Sequence, residues 1–214
     1  MIKGKKITVV GLARSGAGAA KLLARMGAEV TVTDKRPEVE LIDMVTELGP
    51  SVKLALGGHP EEVFSDADLI VVSPGVPLEI RPIVSAKAKG IPVIGELELA
   101  FQIIEGSRVK GQGPRGKGPE GEKPIPFLAI TGSNGKSTTT TLLNHMMRKA
   151  GFNTMLGGNI GNALTEEILK AIESVKSNMK GNEYLAPCPL PLSNDYVVVE
   201  VSSFQLEAID SFRP

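Results

Sequence analysis

Lys136 and Ser137 stand directly after the glycine turn Gly132-Ser133-Asn134-Gly135, which itself follows the apolar run 127–130 and Thr131. A turn of this kind between a strand and a helix aims successive backbone N–H groups and a helix N-terminus at one point, which stabilises a polyphosphate. In that frame Lys136 reaches the β- and γ-phosphates and a Ser137 or Thr138 hydroxyl binds Mg²⁺, the chemistry of a nucleoside triphosphate site. The pattern is a variant of the phosphate loop: Ile130 holds the place of the glycine usual four residues before the Gly-Lys pair, and Gly132 comes two residues later. Leu142, Leu143, Met146 and Met147 predict an apolar helical stripe after the turn, closing at Gly151. The threonines at 138–141 are poor helix formers, so the first turn reads as kept for its ligand.

Three further groups carry chemistry. Glu200 ends the apolar run 196–200, where a carboxylate beside the strand that feeds the phosphate turn can hold a metal bridging the phosphates, or can be a satisfied strand-end acid. Gly157-Gly-Asn-Ile-Gly161 follows another strand-like run and puts Asn159 at the same sheet edge. Near the amino terminus, Gly11-Leu-Ala-Arg-Ser-Gly16 follows the run 7–10, with Asp34 23 residues after Gly11, the layout of a dinucleotide-binding unit. Ala13 takes the place where a missing side chain lets the backbone approach a pyrophosphate, which disfavours an NAD or FAD oxidoreductase. The helix N-terminus still favours an anion, with donors from Arg14 and Ser15; Asp34 either accepts from a ribose or uridine group or caps its own turn. In Ser73-Pro-Gly75, Gly75 permits close backbone approach or simply serves the turn. His59, in a Gly-Gly-His-Pro turn, and His145, within the helix after Lys136, read as packing or surface residues.

The elements that must position these residues alternate regularly. Strand patterns at 7–10, 30–33, 52–56, 69–73 and 91–94, with helices over 19–26 and 41–48, predict an α/β fold with a Rossmann-like parallel sheet covered on both faces. The alternation restarts at 127 with the phosphate turn first. The predicted organisation is therefore a substrate-binding domain over 1–105, a flexible linker over 106–126 and a P-loop-type nucleotide-binding domain over 127–214. The linker has six glycines and four prolines, with too little apolar surface to pack. A second polar and proline-rich stretch, 174–195, has no assigned role.

The 214 residues suit two domains. Lys plus Arg equals Asp plus Glu at 24 each, so no overall field favours nucleic acid or an anionic membrane, and a small-molecule partner is expected. Cys188 is the single cysteine, which rules out an internal disulfide and fits a reducing compartment. Gly11 cuts the first apolar run short of a signal-peptide core, and a cytoplasmic protein is expected.

Thr131-Gly-Ser-Asn-Gly-Lys-Ser-Thr138, Gly158-Asn-Ile-Gly161 and Glu200-Val-Ser-Ser-Phe-Gln-Leu206 together resemble the Mur ligases, and the Phe-Gln pair is similar to the D-glutamate-adding branch. The resemblance covers the chain from Lys5 onward apart from the linker and 174–195. It implies an ATP- and Mg²⁺-dependent amide ligase, a monomer, joining D-glutamate to UDP-N-acetylmuramoyl-L-alanine through an acyl phosphate. By the same resemblance Lys136, Asn159 and Glu200 are catalytic, and residues 132–138 bind ATP. Ser137 and Glu200 hold metal, and Ala13, Arg14, Ser15, Asp34, Lys35, Arg36, Gly75 and Asn159 bind the UDP substrate. The family pattern also places a metal-site histidine and lysine and an amino-acid-binding domain beyond Pro214, so the 214 residues alone are expected to be inactive. The alternative, from another class, is a silent UDP-sugar-binding module.

Overall fold

A computed structural model describes residues 2–106, 125–178 and 194–214. Most of the linker, most of the 174–195 stretch and Cys188 lie outside the described residues. The first sheet is fully parallel, in the order β3-β2-β1-β4-β5: β1 (Lys6–Val10), β2 (Glu29–Asp34), β3 (Lys53–Leu56), β4 (Leu69–Val72) and β5 (Val93–Gly95). Val9 pairs with Val32 on one side and Val71 on the other. After β3 the chain crosses back to lay β4 against the free side of β1, so the order reverses between β1 and β4. In open α/β sheets a ligand crevice belongs beyond the carboxyl ends at that reversal.

The helices are α1 (Arg14–Arg25), α2 (Ile42–Leu48), α3 (Glu61–Ser65), α4 (Arg81–Ala88) and α5 (Glu96–Gly106). Cover of the sheet is less complete than the sequence predicts. Thr8 and Thr31 line a groove of about 500 Å³ together with Glu29, Lys53 and Val63. The one-turn α3 leaves the Thr31 side partly open, while Thr8 stays buried with its hydroxyl donating to Val63 O.

The second sheet is also parallel, in the order β6-β8-β7: β6 (Phe127–Ile130), β7 (Thr154–Gly158) and β8 (Tyr196–Glu200), with α6 (Lys136–Lys149), α7 (Leu164–Asn178) and the short α8 (Ser203–Leu206). The predicted apolar stripe of α6 is corrected in part. Leu143 and Met147 are half-buried, Leu142 and Met146 are each 57% exposed, and the buried positions are Thr140 and Asn144. Their polar groups are satisfied, Thr140 Oγ1 donating to Lys136 O at 2.8 Å and Asn144 Oδ1 accepting from Thr154 Oγ1 at 2.6 Å. Hydrogen bonding satisfies the polar groups that this helix buries.

One apolar core runs through both units. It joins Leu22, Leu23, Val30, Leu97 and Ile104 of the first to Leu164, Ile168, Ile172, Val197 and Val199 of the second. Each such aliphatic side chain contributes roughly 1.5–3 kcal/mol by burial. Helix α1 packs against α7 through small residues, and a Cβ on Gly18 would lie 3.1 Å from Thr165 Oγ1. No described helix is long and apolar enough to cross a membrane.

A buried carboxylate sits at a tertiary junction with its charge satisfied. Glu98 accepts from the N–H groups of Asp210, Ser211 and Phe212, from Ser211 Oγ and from Gln102 Nε2 at 2.7 Å. Burial alone would push its carboxyl up, but these donors outweigh it and hold the pKa at about 2, against an ordinary 4.5. A carboxylate lowered in the folded state stabilises fully above its ordinary pKa, and that contribution is lost as pH falls through the folded value. The stability gap between the native chain and Glu98→Gln is therefore expected to be constant above pH 4.5 and to close between there and about 2. Urea unfolding across that window checks it; a gap that stays constant down to pH 2 refutes the assignment.

Candidate functional site

The turn after β1 is built by glycines that close packing demands. A Cβ on Gly16 would lie 1.9 Å from Gly11 O, and one on Gly11, at φ 91°, would lie 2.8 Å from Val76 Cγ2. Ser73 Oγ donates to Gly11 O at 2.7 Å, tying the turn after β4 to the turn after β1 across the reversal point. Ala13 precedes the N-terminus of α1, which has no side-chain cap, so its first N–H groups stay open to an anion. Gly75 has φ 84° and open space where a Cβ would be, so its requirement here is conformational.

Asp34 is placed at the same edge but has both oxygens occupied. Oδ2 accepts from Leu12 N at 2.7 Å and Arg36 Nη2 at 2.9 Å; Oδ1 accepts from Arg36 N and Nε. Burial would raise its carboxyl, yet the Arg36 fork and the Leu12 amide hold it at about 2. Arg36 Nη2 also donates to Leu12 O, so the pair braces the glycine turn from behind. Lys35 is exposed beside it. Thr33 Oγ1 lies 2.9 Å from Gly58 O and 3.1 Å from His59 Nδ1, and burial lowers the His59 pKa. His59 thus packs under this edge, one of the two roles its sequence offered.

The second edge carries the phosphate turn. Gly132 and Gly135 have φ of 138° and 75°, conformations that glycine alone adopts freely. Gly135 precedes α6 without a side-chain cap, which leaves the N–H groups of Lys136, Ser137 and Thr138 uncapped. Lys136 Nζ folds back over the turn, donating to Gly132 O at 2.7 Å and Ser133 O at 3.4 Å. Ser133, Asn134, Ser137 and Thr138 are exposed. The turn is thus an exposed ring of donors topped by an ammonium, suited to a polyphosphate.

Beside it, Ile130 of β6 pairs in register with Glu200 of β8. Glu200 is 2% exposed; its Oε1 accepts from Asn159 Nδ2 at 2.9 Å, and its Oε2 is buried without a partner. A buried carboxylate oxygen with no donor is costly in protein alone, and a hard cation is one way to satisfy it. No cluster of three acidic, histidine or cysteine side chains able to hold a metal occurs among the described residues. Any cation at Glu200 therefore also needs ligands such as the Ser137 hydroxyl, phosphate oxygens or water.

The two carboxyl edges face one another across a cleft of about 230 Å³. Ala13, Arg14, Ser15, Ser73 and Pro74 line one wall, and Gly158, Asn159, Gly161, Ala163 and Gln205 the other. Arg14 Nη1 crosses it, donating to Gly161 O at 3.1 Å.

Residues 5–95 match the Mur ligase MurD-like N-terminal domain and residues 130–213 match the Mur ligase middle domain. The chain belongs to the Mur ligase family. It is 45% identical to a UDP-N-acetylmuramoylalanine--D-glutamate ligase of Geotalea daltonii and 44% identical to that of Geobacter metallireducens, each over 214 residues, 100% of this chain and 39% of the relative. It thus spans 39% of the length of these curated relatives. A solved murein peptide ligase of Psychrobacter arcticus is 17% identical with a TM-score of 0.48, covering 93% of this chain and 38% of its own.

Of the substrate residues expected from the sequence of this Mur ligase chain, Ala13, Arg14, Ser15 and Asn159 line this cleft, whereas Asp34, Lys35, Arg36 and Gly75 do not; Glu200 is bonded to Asn159 without lining it. The sequence reading missed Gln205, whose Oε1 accepts from Ser202 N at 2.9 Å and which lines the cleft. The signal was available: Ser202 followed three residues later by Gln205 is a capping box. It also missed α5, although Leu97, Ala100, Ile103 and Ile104 recur at helical spacing.

Proposed function

We propose that this Mur ligase chain provides the UDP-substrate and ATP sites of a cytoplasmic, monomeric ligase that adds D-glutamate to UDP-N-acetylmuramoyl-L-alanine at the expense of ATP. The observation that carries this reading is the buried, unpartnered Oε2 of Glu200, fixed by Asn159 at the edge where the phosphate turn meets the cleft. The relatives' names supply the reaction. The proposed organisation is a UDP-substrate domain over 1–105, a linker over 106–126 and an ATP-binding domain over 127–214.

A carboxylate is a poor electrophile, so the substrate's alanyl carboxylate must take the γ-phosphoryl group before an amine can displace it. Lys136 swings from the Gly132 carbonyl to the transferring phosphoryl group, and the open amides of 132–138 neutralise its charge. Mg²⁺ held by Ser137 and Glu200 would supply charge neutralisation between the phosphates. Asn159 orients Glu200 with one amide hydrogen and has the other free for the acyl oxygen. The uncapped start of α1, with Ser15 and Arg14, takes the diphosphate, while Lys35, Arg36 and the backbone beside Asp34 and Gly75 seat the rest of the UDP substrate. The 214 residues span 39% of the relatives' length, and what is proposed for them is the binding of both ligands.

Calorimetry on the chain tests this. UDP and ATP–Mg²⁺ are each expected to bind, and Glu200→Gln is expected to weaken ATP only in the presence of Mg²⁺, by about tenfold or more, the worth of one charged metal ligand. Equal ATP affinity for both proteins in Mg²⁺ removes Glu200 from the site, and no binding of either nucleotide refutes the reading.

A further inference from the structure

Helix α5 and the residue before it reach several separate parts of the second unit. Gly95, just before it, donates its N–H to Ala208 O at 2.6 Å, and a Cβ there would lie 3.2 Å from the same oxygen. Glu96, 1% exposed, accepts from Thr165 N at 2.8 Å and Thr165 Oγ1 at 2.7 Å, at the N-terminus of α7. Glu98, two residues on, is enclosed by the amides of Asp210, Ser211 and Phe212. One turn later Phe101 packs edge-on against Phe127 at 5.3 Å and Phe212 at 5.4 Å. The two carboxylates thus hold different segments: Glu96 the helix that follows the Asn159 turn, and Glu98 the irregular segment 210–212 that follows α8 and Gln205.

We propose that the first turn of α5 sets the geometry between the two sheets, with Glu96 and Glu98 as positioning residues that bring Asn159 and Gln205 over the Ser73–Pro74 wall of the cleft. Neither residue touches the reacting atoms. Directional hydrogen bonds do what the shared apolar core cannot, because apolar contact tolerates sliding whereas a carboxylate held by several N–H groups does not. Glu98 is enclosed by fixed donors, so a tilt of one sheet against the other would strand its buried charge; at Glu96, whose Oε2 has no partner and whose pKa burial raises, a tilt would cost the two bonds from Thr165 to Oε1. The proposal rests on the reading that one substrate spans the cleft. Such a ligand gains affinity from its second end only if both ends engage together.

The test compares the chain with the double variant Glu96→Gln, Glu98→Gln. UDP and ATP–Mg²⁺, which each need one wall, are expected to keep their affinities within about twofold, while UDP-N-acetylmuramoyl-L-alanine weakens by about tenfold or more. In parallel, spin labels at Asp43→Cys and Lys149→Cys, in a Cys188→Ser background, report the distance between the units. A narrow distribution is expected for the parent and a broadened or shifted one for the double variant. An unchanged narrow distribution, or equal weakening of UDP and the longer ligand, overturns the proposal. If the parent binds the longer ligand no better than UDP, the spanning-substrate reading fails and the spin-label distances alone decide on the clasp. Should the double variant not fold, Thr165→Ala with Ser211→Ala removes only the donating hydroxyls and leaves the backbone donors; a smaller broadening is expected, and its absence refutes the clasp.

Discussion

Lys136→Ala is expected to reduce ATP–Mg²⁺ affinity by about 100-fold, roughly 3 kcal/mol, the scale of a charge-assisted contact with phosphate. UDP affinity should stay as it was, because Lys136 belongs to the other wall. Folding should also be intact: the ammonium bonds only two loop carbonyls on an exposed turn, and water can replace it there. Lys136→Arg keeps the charge on a longer, planar group and is expected to recover only part of the loss. Calorimetric titration of the three proteins decides; ATP affinity within about twofold of the parent for Lys136→Ala would remove the phosphate turn from the mechanism.

Gly16→Ala is expected to act through structure instead. The added methyl carbon would sit 1.9 Å from Gly11 O and 2.6 Å from Ser73 Oγ. Gly11 cannot yield, since its own N–H is held by Thr33 O at 2.8 Å and its carbonyl by Ser73. The cost is about 3 kcal/mol or more, typical of overpacking against backbone. UDP binding is expected to vanish with it because the turn and the start of α1 move together. Denaturant unfolding and UDP titration read the two effects. Gly75→Ala is the contrast: its Cβ would meet open space, so only the positive φ is charged, about 1 kcal/mol. A Gly16→Ala protein as stable as the parent would show that the turn is loose.

Much of the first sheet was legible because β-branched runs bounded by glycine turns leave few alternatives. The strands at 7–10 and 30–33 fall within β1 and β2, and the helix over 41–48 is α2 with one residue more. The phosphate turn was equally plain, since glycines with positive φ have a local cause. Helix α6 misled because its apolar residues look like a core stripe, whereas the sheet takes Thr140 and Asn144 and leaves Leu142 and Met146 in solvent. No local rule chooses between two faces of one helix; the neighbouring strand does, here through the Thr154 hydroxyl.

Asp34 shows the same division. Its spacing from Gly11 marked it as a site residue or a cap of its own turn; the Arg36 contacts are that local cap, whereas the Leu12 amide became visible only when β1 and β2 lay side by side. By itself the sequence determined which residues are chemically able: the glycines that make turns, the lysine after one of them, and the acid at a strand end. These depend on backbone freedom and side-chain type, which are local. Only the tertiary structure decided that Glu200 keeps one buried oxygen unpartnered, that Asn159 stands opposite Ser73, and that Glu96 and Glu98 join two sheets. Those are relations between segments far apart in the chain, fixed by burial and directional hydrogen bonds that no stretch of sequence contains alone.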